Sequence, residues 1–373
     1  MRQRDADRSL RVALLSPCSW PEVRRGAERF TRELADGLLT RGHRPTLITS
    51  HPGLPSRRIE DGLPVLRVPR PPQGRLLRRH YEPYLTHVPL SYLALSHGAY
   101  DLAHATYPAD AVAGARWKRR TGRPLVLSYM GVPDRTGLRE YRWRLELLLR
   151  ALSRCDAVVA LSRYAGEAFR HWLGYEARVI PPGVDVHTFR PLADRTSFPS
   201  IICSAAPEVP RKHVDLLVRA LALVRRTHPD AQLILSRPRR LDAVERAGVD
   251  VHAAGVVWQN LDDRAVLARA YAQAWVSALP ARDEAFGLVL AEALACGTPV
   301  VGYDHGAIPE VVDRAGIGRL FERLDPECLA EALLGALELS RQDGTSARCR
   351  ARAEELSTDR CTERYLELYA DLR

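Results

Sequence analysis

Apolar residues in this chain fall into two alternating patterns: short unbroken runs, and longer stretches in which Leu, Ala and aromatic residues return every three or four positions. Residues 10–16 (LRVALLS) are the first such run and predict a strand. Phe30, Leu34 and Leu38 then share one face of a predicted helix. Gly42 stands where that helix would be capped, and residues 45–49 predict a second strand behind it. Further strands are expected at 65–68, 101–105, 124–128 and 157–161, with helices near 110–119, 138–152 and 163–173. Strands that alternate with helices predict a parallel sheet covered on both faces.

A passage rich in Pro and Gly, residues 180–199 (IPPGVDVHTFRPLADRTSFP), interrupts this alternation. It restarts with a strand at 200–204 and a helix at 214–224, followed by strands at 232–235, 251–254, 275–279 and 299–302. The expected fold class is α/β, with two doubly wound Rossmann-like domains at residues 1–182 and 183–357. Their strands should present their carboxyl ends to an inter-domain cleft, where such sheets bind ligands. Residues 358–373 read as a C-terminal helix that packs back on the first domain.

Composition narrows the function classes. At 373 residues with 46% hydrophobic content, the chain exceeds what one core supports. Its formal charge of +10 favours anions: phosphates, acidic lipids or nucleic acid. No recognised nucleic-acid motif accompanies that charge, so nucleic acid is not expected as a partner. The seven cysteines are scattered without a CxxC pair, which argues against a disulfide framework or a thiolate metal site and suits a reducing cytoplasm. The opening MRQRDADRSLRVALLS has too short an apolar run for a signal peptide, and no later stretch would span a bilayer. A soluble, cytoplasmic protein is the expectation.

The candidate chemistry centres on ARDEAFGLVLAEALACGTPVVG, which follows the predicted strand WVSALP. A helix should begin near Gly287 or Leu288, because glycine permits the tight turn and good helix formers follow. The amides of Phe286, Gly287 and Leu288 would then face out of a helix N-terminus, where backbone partial charge attracts phosphate. Glu284 precedes them, able to accept hydrogen bonds from sugar hydroxyls. Glu292 falls about one turn into the helix, within reach of a ribose. An isolated pair of this kind would more often be a solvated loop charge and a helix-dipole partner. The strand before, the intervening Phe-Gly and the strand after favour function.

This arrangement resembles the large retaining glycosyltransferase family of the two-Rossmann, GT-B type, often called family 4, whose signature is Glu, seven residues, then Glu. The resemblance runs from the first strand and helix to the terminal helix. It implies that Glu284 contacts the donor sugar, that Ala285, Phe286, Gly287 and Leu288 contact sugar and diphosphate, and that Glu292 holds the ribose. Arg211 and Lys212, in SAAPEVPRKHVDLL, match the family's basic pair and would neutralise the leaving diphosphate. A solvated charge pair at a helix start is the plainer reading. Relatives often carry another Arg after a Gly a few residues earlier, where this chain has Ala205 and Ala206.

In PEVRRGAERF, Gly26 matches the second glycine of a family loop and Arg25 replaces the first. His104, at a strand end, reads either as a catalytic group facing the cleft or as a buried structural histidine. Tyr129 stands near the place of a histidine that relatives use. PPGVDVHTF matches a family linker, with Pro182 where Asn is common and Phe189 and Pro191 in place. Arg70, Arg75, Arg78 and Arg79, interleaved with Tyr81 and Tyr84, mark either a basic surface loop or a peripheral membrane contact.

The resemblance implies transfer of a glycosyl group from a nucleoside diphosphate sugar to a hydroxyl or amine of a small-molecule or lipid-linked acceptor, with retention, in secondary-metabolite or glycoconjugate synthesis. No cofactor and no metal are expected. The chain's one Asp-x-Asp, Asp5 and Asp7, lies ahead of the first strand, and Arg211 and Lys212 take a cation's place. The alternatives are another nucleotide-sugar enzyme, such as an epimerase or phosphorylase, or a non-catalytic binder of nucleotide sugars.

Overall fold

Strand β1 (Arg11–Leu15) shows how the sequence builds a two-faced sheet. Val12 and Leu14 enter one core and Ala13 and Leu15 enter another, and all four are fully buried. The computed structural model describes residues 9–23, 26–192, 194–238 and 240–373. The chain divides into Met1–Gly183 joined by Thr358–Arg373, and Val184–Ser357.

In the first unit β1 is followed by β2 (Arg44–His51), β3 (Ser56–Glu60), β4 (Leu63–Pro69), β5 (Leu102–Ala105), β6 (Leu125–Tyr129), β7 (Ala157–Ala160) and β8 (Arg178–Val179). They form one sheet in the order β3-β4-β2-β1-β5-β6-β7-β8. Only β3 runs antiparallel, beside β4. Phe30, Leu34 and Leu38 of the helix Gly26–Thr40 cover one face, together with Tyr365, Leu368 and Tyr369 of the helix Thr358–Asp371. A Cβ added at Gly37 would overlap Thr362, so the missing side chain is what lets these two helices approach. The other face is covered by Trp117, Leu148 and Phe169 from the helices Pro108–Thr121, Arg144–Leu152 and Arg163–Leu173.

The second unit contains β9 (Ser200–Cys203), β10 (Gln232–Ser236), β11 (Val256–Gln259), β12 (Val276–Leu279), β13 (Val300–Tyr303) and β14 (Gly318–Phe321). Their order is β11-β10-β9-β12-β13-β14 and every pairing is parallel. The unit's first strand, β9, therefore lies at the middle, between β10 and β12. This is the order of dinucleotide-binding sheets, which leaves a crevice at the carboxyl ends of the two central strands.

The linker segment starts this unit in a fixed way. Asp185 accepts from the amides of His187 and Thr188, both at 3.0 Å, and from the Thr188 hydroxyl at 2.6 Å. Phe189 is fully buried beneath the Arg264 guanidinium.

Two expectations are corrected. Residues 251–254 form a turn, and the strand is β11 beyond Gly255, whose φ of +85° requires glycine. The helix expected over 138–152 is two, Gly137–Glu140 and Arg144–Leu152, separated by Trp143 at φ +71°. The break lets Arg142 pair with Tyr81 in an isolated bridge. Strands β3, β8 and β14 went unread: the side chains of β3 are mostly exposed, β8 is two exposed residues, and β14 buries only its first and last residues. All seven cysteines are free thiols.

Candidate active site

Three loops meet at the carboxyl ends of β9, β12 and β13. The first turns through the short 3-10 segment Pro210–Lys212 into the helix Val214–Thr227. The second passes Asp283 and Glu284 and ends at Gly287, whose φ of +96° opens the helix Leu288–Ala295. The Gly287 carbonyl accepts the Leu290 amide at 2.9 Å, so the first-turn amides sit ahead of the intrahelical bonds. The third loop leads from β13 to the helix Ile308–Val311.

Two backbone bonds stitch these loops together. The Arg282 amide donates to the Arg211 carbonyl at 2.9 Å, and the Ala307 amide donates to the Glu284 carbonyl at 3.2 Å. Side chains complete the junction. Lys212 Nζ lies 2.5 Å from Glu284 Oε2, and Arg211 Nη1 reaches the same oxygen at 3.3 Å. The Lys212 and Glu284 side chains are only 15% and 17% exposed, so this pair is shielded from salt far more than a surface pair would be. Two cations on one carboxylate oxygen place positive charge beside a helix N-terminus, an arrangement suited to an anion.

The structure thus brings together Arg211, Lys212, Glu284, Ala285, Phe286, Gly287, Leu288 and Glu292 in the second unit. Phe286 is buried and packs the loop down, while Ala285 and Leu288 are half-buried. Glu292 is almost wholly buried, near Tyr271, whose hydroxyl is pushed up by burial and then by the Glu292 charge. Ala205 is buried and Ala206 exposed, so neither offers a charge to the junction. Gly26, which is exposed, opens the helix Gly26–Thr40 of the first unit. Arg25, Asp5 and Asp7 lie outside the described residues.

His104 receives a structural place. It lies inside β5, fully buried, with Nδ1 2.7 Å from the Tyr369 hydroxyl and Nε2 2.7 Å from the Ser128 hydroxyl. Ser128 in turn meets the Tyr365 hydroxyl at 2.8 Å. Burial lowers the imidazole to about 3, which keeps it neutral with one ring nitrogen donating and the other accepting. The catalytic reading of His104 is therefore replaced by that of a core polar knot. Tyr129 closes β6 half-buried, its ring edge-on to Phe169 at 5.3 Å.

Sequence reading missed three residues at the junction. His213 and Asp283 have left-handed backbones, at φ +50° and +51°, and His305 donates from Nε2 to Asp283 Oδ1 at 3.0 Å. No sequence signal marks the first two, because left-handed turns are usually announced by glycine. His213→Gly should relieve the strain and raise stability by about 1 kcal/mol, read from the denaturant midpoint. A loss of stability would show that the side chain more than offsets its backbone cost.

Comparison with known proteins fits this geometry. Residues 24–188 match Glycosyltransferase Family 4 and residues 199–338 match Glycosyl transferases group 1. The D-inositol 3-phosphate glycosyltransferase of Xylanimonas cellulosilytica is 30% identical, over 97% of this chain and 97% of its own length. The chain belongs to the group 1 glycosyltransferases of the GT-B fold.

A phosphatidyl-myo-inositol mannosyltransferase of Propionibacterium freudenreichii is 29% identical over 66% of this glycosyltransferase, a match that spans 64% of the relative's own length. Sucrose-phosphate synthase from Thermosynechococcus elongatus shares the fold, with a TM-score of 0.80, 22% identity and coverage of 98% and 99% of the two chains. Among the described residues of the glycosyltransferase, no group of three or more His, Cys, Asp or Glu is assembled to hold a metal, and no helix is long and apolar enough to cross a membrane.

Proposed function

We propose that this glycosyltransferase takes its sugar from a nucleoside diphosphate sugar and passes it, with retention at the anomeric carbon, to an acceptor hydroxyl or amine. The observation that carries the reading is the meeting of Lys212 and Arg211 on one oxygen of Glu284 at the mouth of the helix Leu288–Ala295. On this reading the amides of Gly287 and Leu288, with Lys212 and Arg211, hold the diphosphate and stabilise the charge that develops as the glycosidic bond breaks. Glu284 holds sugar hydroxyls and Glu292 the ribose. The acceptor attacks from the face the diphosphate leaves, and a phosphate oxygen takes its proton. Neither a metal nor a cofactor enters, since fixed cations stand where the leaving group gains charge.

The names of the two relatives point to an inositol phosphate or phosphatidylinositol acceptor. Leu77 and Trp143 are exposed among the exposed arginines Arg75, Arg78, Arg142 and Arg150, which supports contact with an anionic lipid surface.

The test is a thermal-shift panel of UDP-, GDP- and ADP-sugars, followed by labelled transfer to soluble inositol phosphate and to phosphatidylinositol vesicles. The true donor, at a hundred times its Kd, should stabilise the protein by about 2.7 kcal/mol. A panel that leaves the melting temperature unmoved would sink the donor assignment. Donor turnover with no transfer to either acceptor would sink the acceptor class.

A further inference from the structure

Glu284 can grip a sugar only if its carboxylate is aimed, and the loop around it contains a device that sets the aim. Among the described residues, two non-glycine residues of Val184–Ser357 adopt a left-handed backbone, His213 and Asp283. Each is the chain neighbour of one member of the Lys212–Glu284 pair. Backbone strain of this kind persists only where surrounding contacts impose it. For Asp283 those contacts are visible.

Its carboxylate accepts from His305 Nε2 at 3.0 Å. The His305 ring stacks on Tyr303 at an inclination of 29°, with centroids 5.5 Å apart. Tyr303 rests in turn against the buried Phe321 of β14, at 5.3 Å. A continuous line of contacts therefore runs from the edge of the sheet to the residue before Glu284. The loop after β13 meets the loop after β12 a second time through the Ala307 amide and the Glu284 carbonyl. The twist at Asp283 decides where the next Cα–Cβ bond points, and that bond belongs to Glu284.

We propose that Asp283 and His305 form a clasp that positions Glu284 for the sugar half of the donor, while the diphosphate half is held independently by Arg211, Lys212 and the helix N-terminus. Both are positioning residues, and the clasp rests on the donor-site reading above. The pair is exposed enough to contribute little to global stability, since His305 and Asp283 are 34% and 55% exposed. Its effect should appear in ligand discrimination.

The experiment measures binding of UDP, UDP-glucose, GDP, GDP-mannose, ADP and ADP-glucose by calorimetry to the wild type and to His305→Ala, His305→Gln and Asp283→Gly. In His305→Ala, affinity for the bound sugar nucleotide should fall about tenfold, while affinity for the matching diphosphate changes by less than about twofold. His305→Gln, whose amide nitrogen reaches the position of Nε2, should recover most of the loss. In Asp283→Gly the glycine accepts the left-handed backbone without strain. That variant should lose sugar discrimination as His305→Ala does, while its melting temperature holds or rises.

Wild-type affinity for the sugar nucleotide in both His305→Ala and Asp283→Gly would overturn the clasp. Equal losses for diphosphate and sugar nucleotide would overturn its assignment to the sugar half. A wild type that binds none of the six nucleotides would instead overturn the donor reading on which the clasp depends.

Discussion

Lys212→Ala should lower kcat/KM for the donor by about a hundredfold to a thousandfold, the usual consequence of removing one fixed charge aimed at a developing anion. The effect is large because the Lys212 side chain is only 15% exposed and its ammonium is already oriented by Glu284. Water and buffer cations cannot take its place at the same distance. Arg211 cannot fully compensate, since it reaches the carboxylate at 3.3 Å and is half exposed. Glu284→Ala should cost a similar factor for the sugar nucleotide, with a smaller loss of affinity for the bare diphosphate, because Lys212 loses the partner that orients it. Because the two side chains touch, their effects should be coupled, and the double variant should lose less than the product of the single losses. Steady-state kinetics on the four proteins of that cycle supply the check. A change below about twofold for Lys212→Ala would remove it from the diphosphate site, and strictly multiplicative losses would mean that the observed contact has no bearing on turnover.

The second large effect concerns stability against pH. Burial holds His104 at about 3, against an ordinary value of 6.5. Below 6.5 the unfolded chain takes up a proton at this position, and the folded chain does not until about pH 3. Protons in that window therefore favour unfolding. The contribution of the neutral imidazole is complete above 6.5 and is lost as pH falls toward 3, by about 1.4 kcal/mol for each unit. Between pH 6.5 and 4.5 the folded state should lose about 2 to 3 kcal/mol from this group. Burial also lowers His43 and His213, so the whole protein should fall more steeply than one histidine requires. Denaturant unfolding of wild type and His104→Asn across this range isolates the term. The variant should be less stable at neutral pH, because the Ser128 and Tyr369 hydroxyls lose their ring partners, yet show a shallower acid slope. Parallel slopes would mean that His104 is already charged in the folded protein.

Much of this molecule is legible from its residues, for reasons that also explain what is not. EAFGLVLAE can be read because a glycine before a run of helix formers predicts a turn and a helix N-terminus, and Gly287 and Leu288 occupy those places. Four strands of the second sheet follow from the alternation of buried strands and helices, while β11 lies beyond the turn read as a strand and β14 went unread. Long-range pairing is different. Nothing local to Arg211 and Lys212 tells that both will reach one oxygen of Glu284, since this depends on β9 and β12 lying side by side. His104 illustrates the same limit on a single strand. Alternation tells that it faces opposite to Ala103 and Ala105, but the partner waiting there, Tyr369, comes from the other end of the chain. The left-handed turns at Trp143, His213 and Asp283 are imposed by tertiary contacts on residues that would avoid them.

The helix Thr358–Asp371 has a consequence for synthesis. Cys361, Tyr365, Leu368 and Tyr369 fill the same core as β1 and the helix Gly26–Thr40, although the whole of Val184–Ser357 is made in between. Strand β1 and the helix Gly26–Thr40 must wait, with an apolar face uncovered and the His104 knot lacking its tyrosines, until residues 358–373 leave the ribosome. The second unit, which is continuous in sequence, has no such debt and can fold as it emerges.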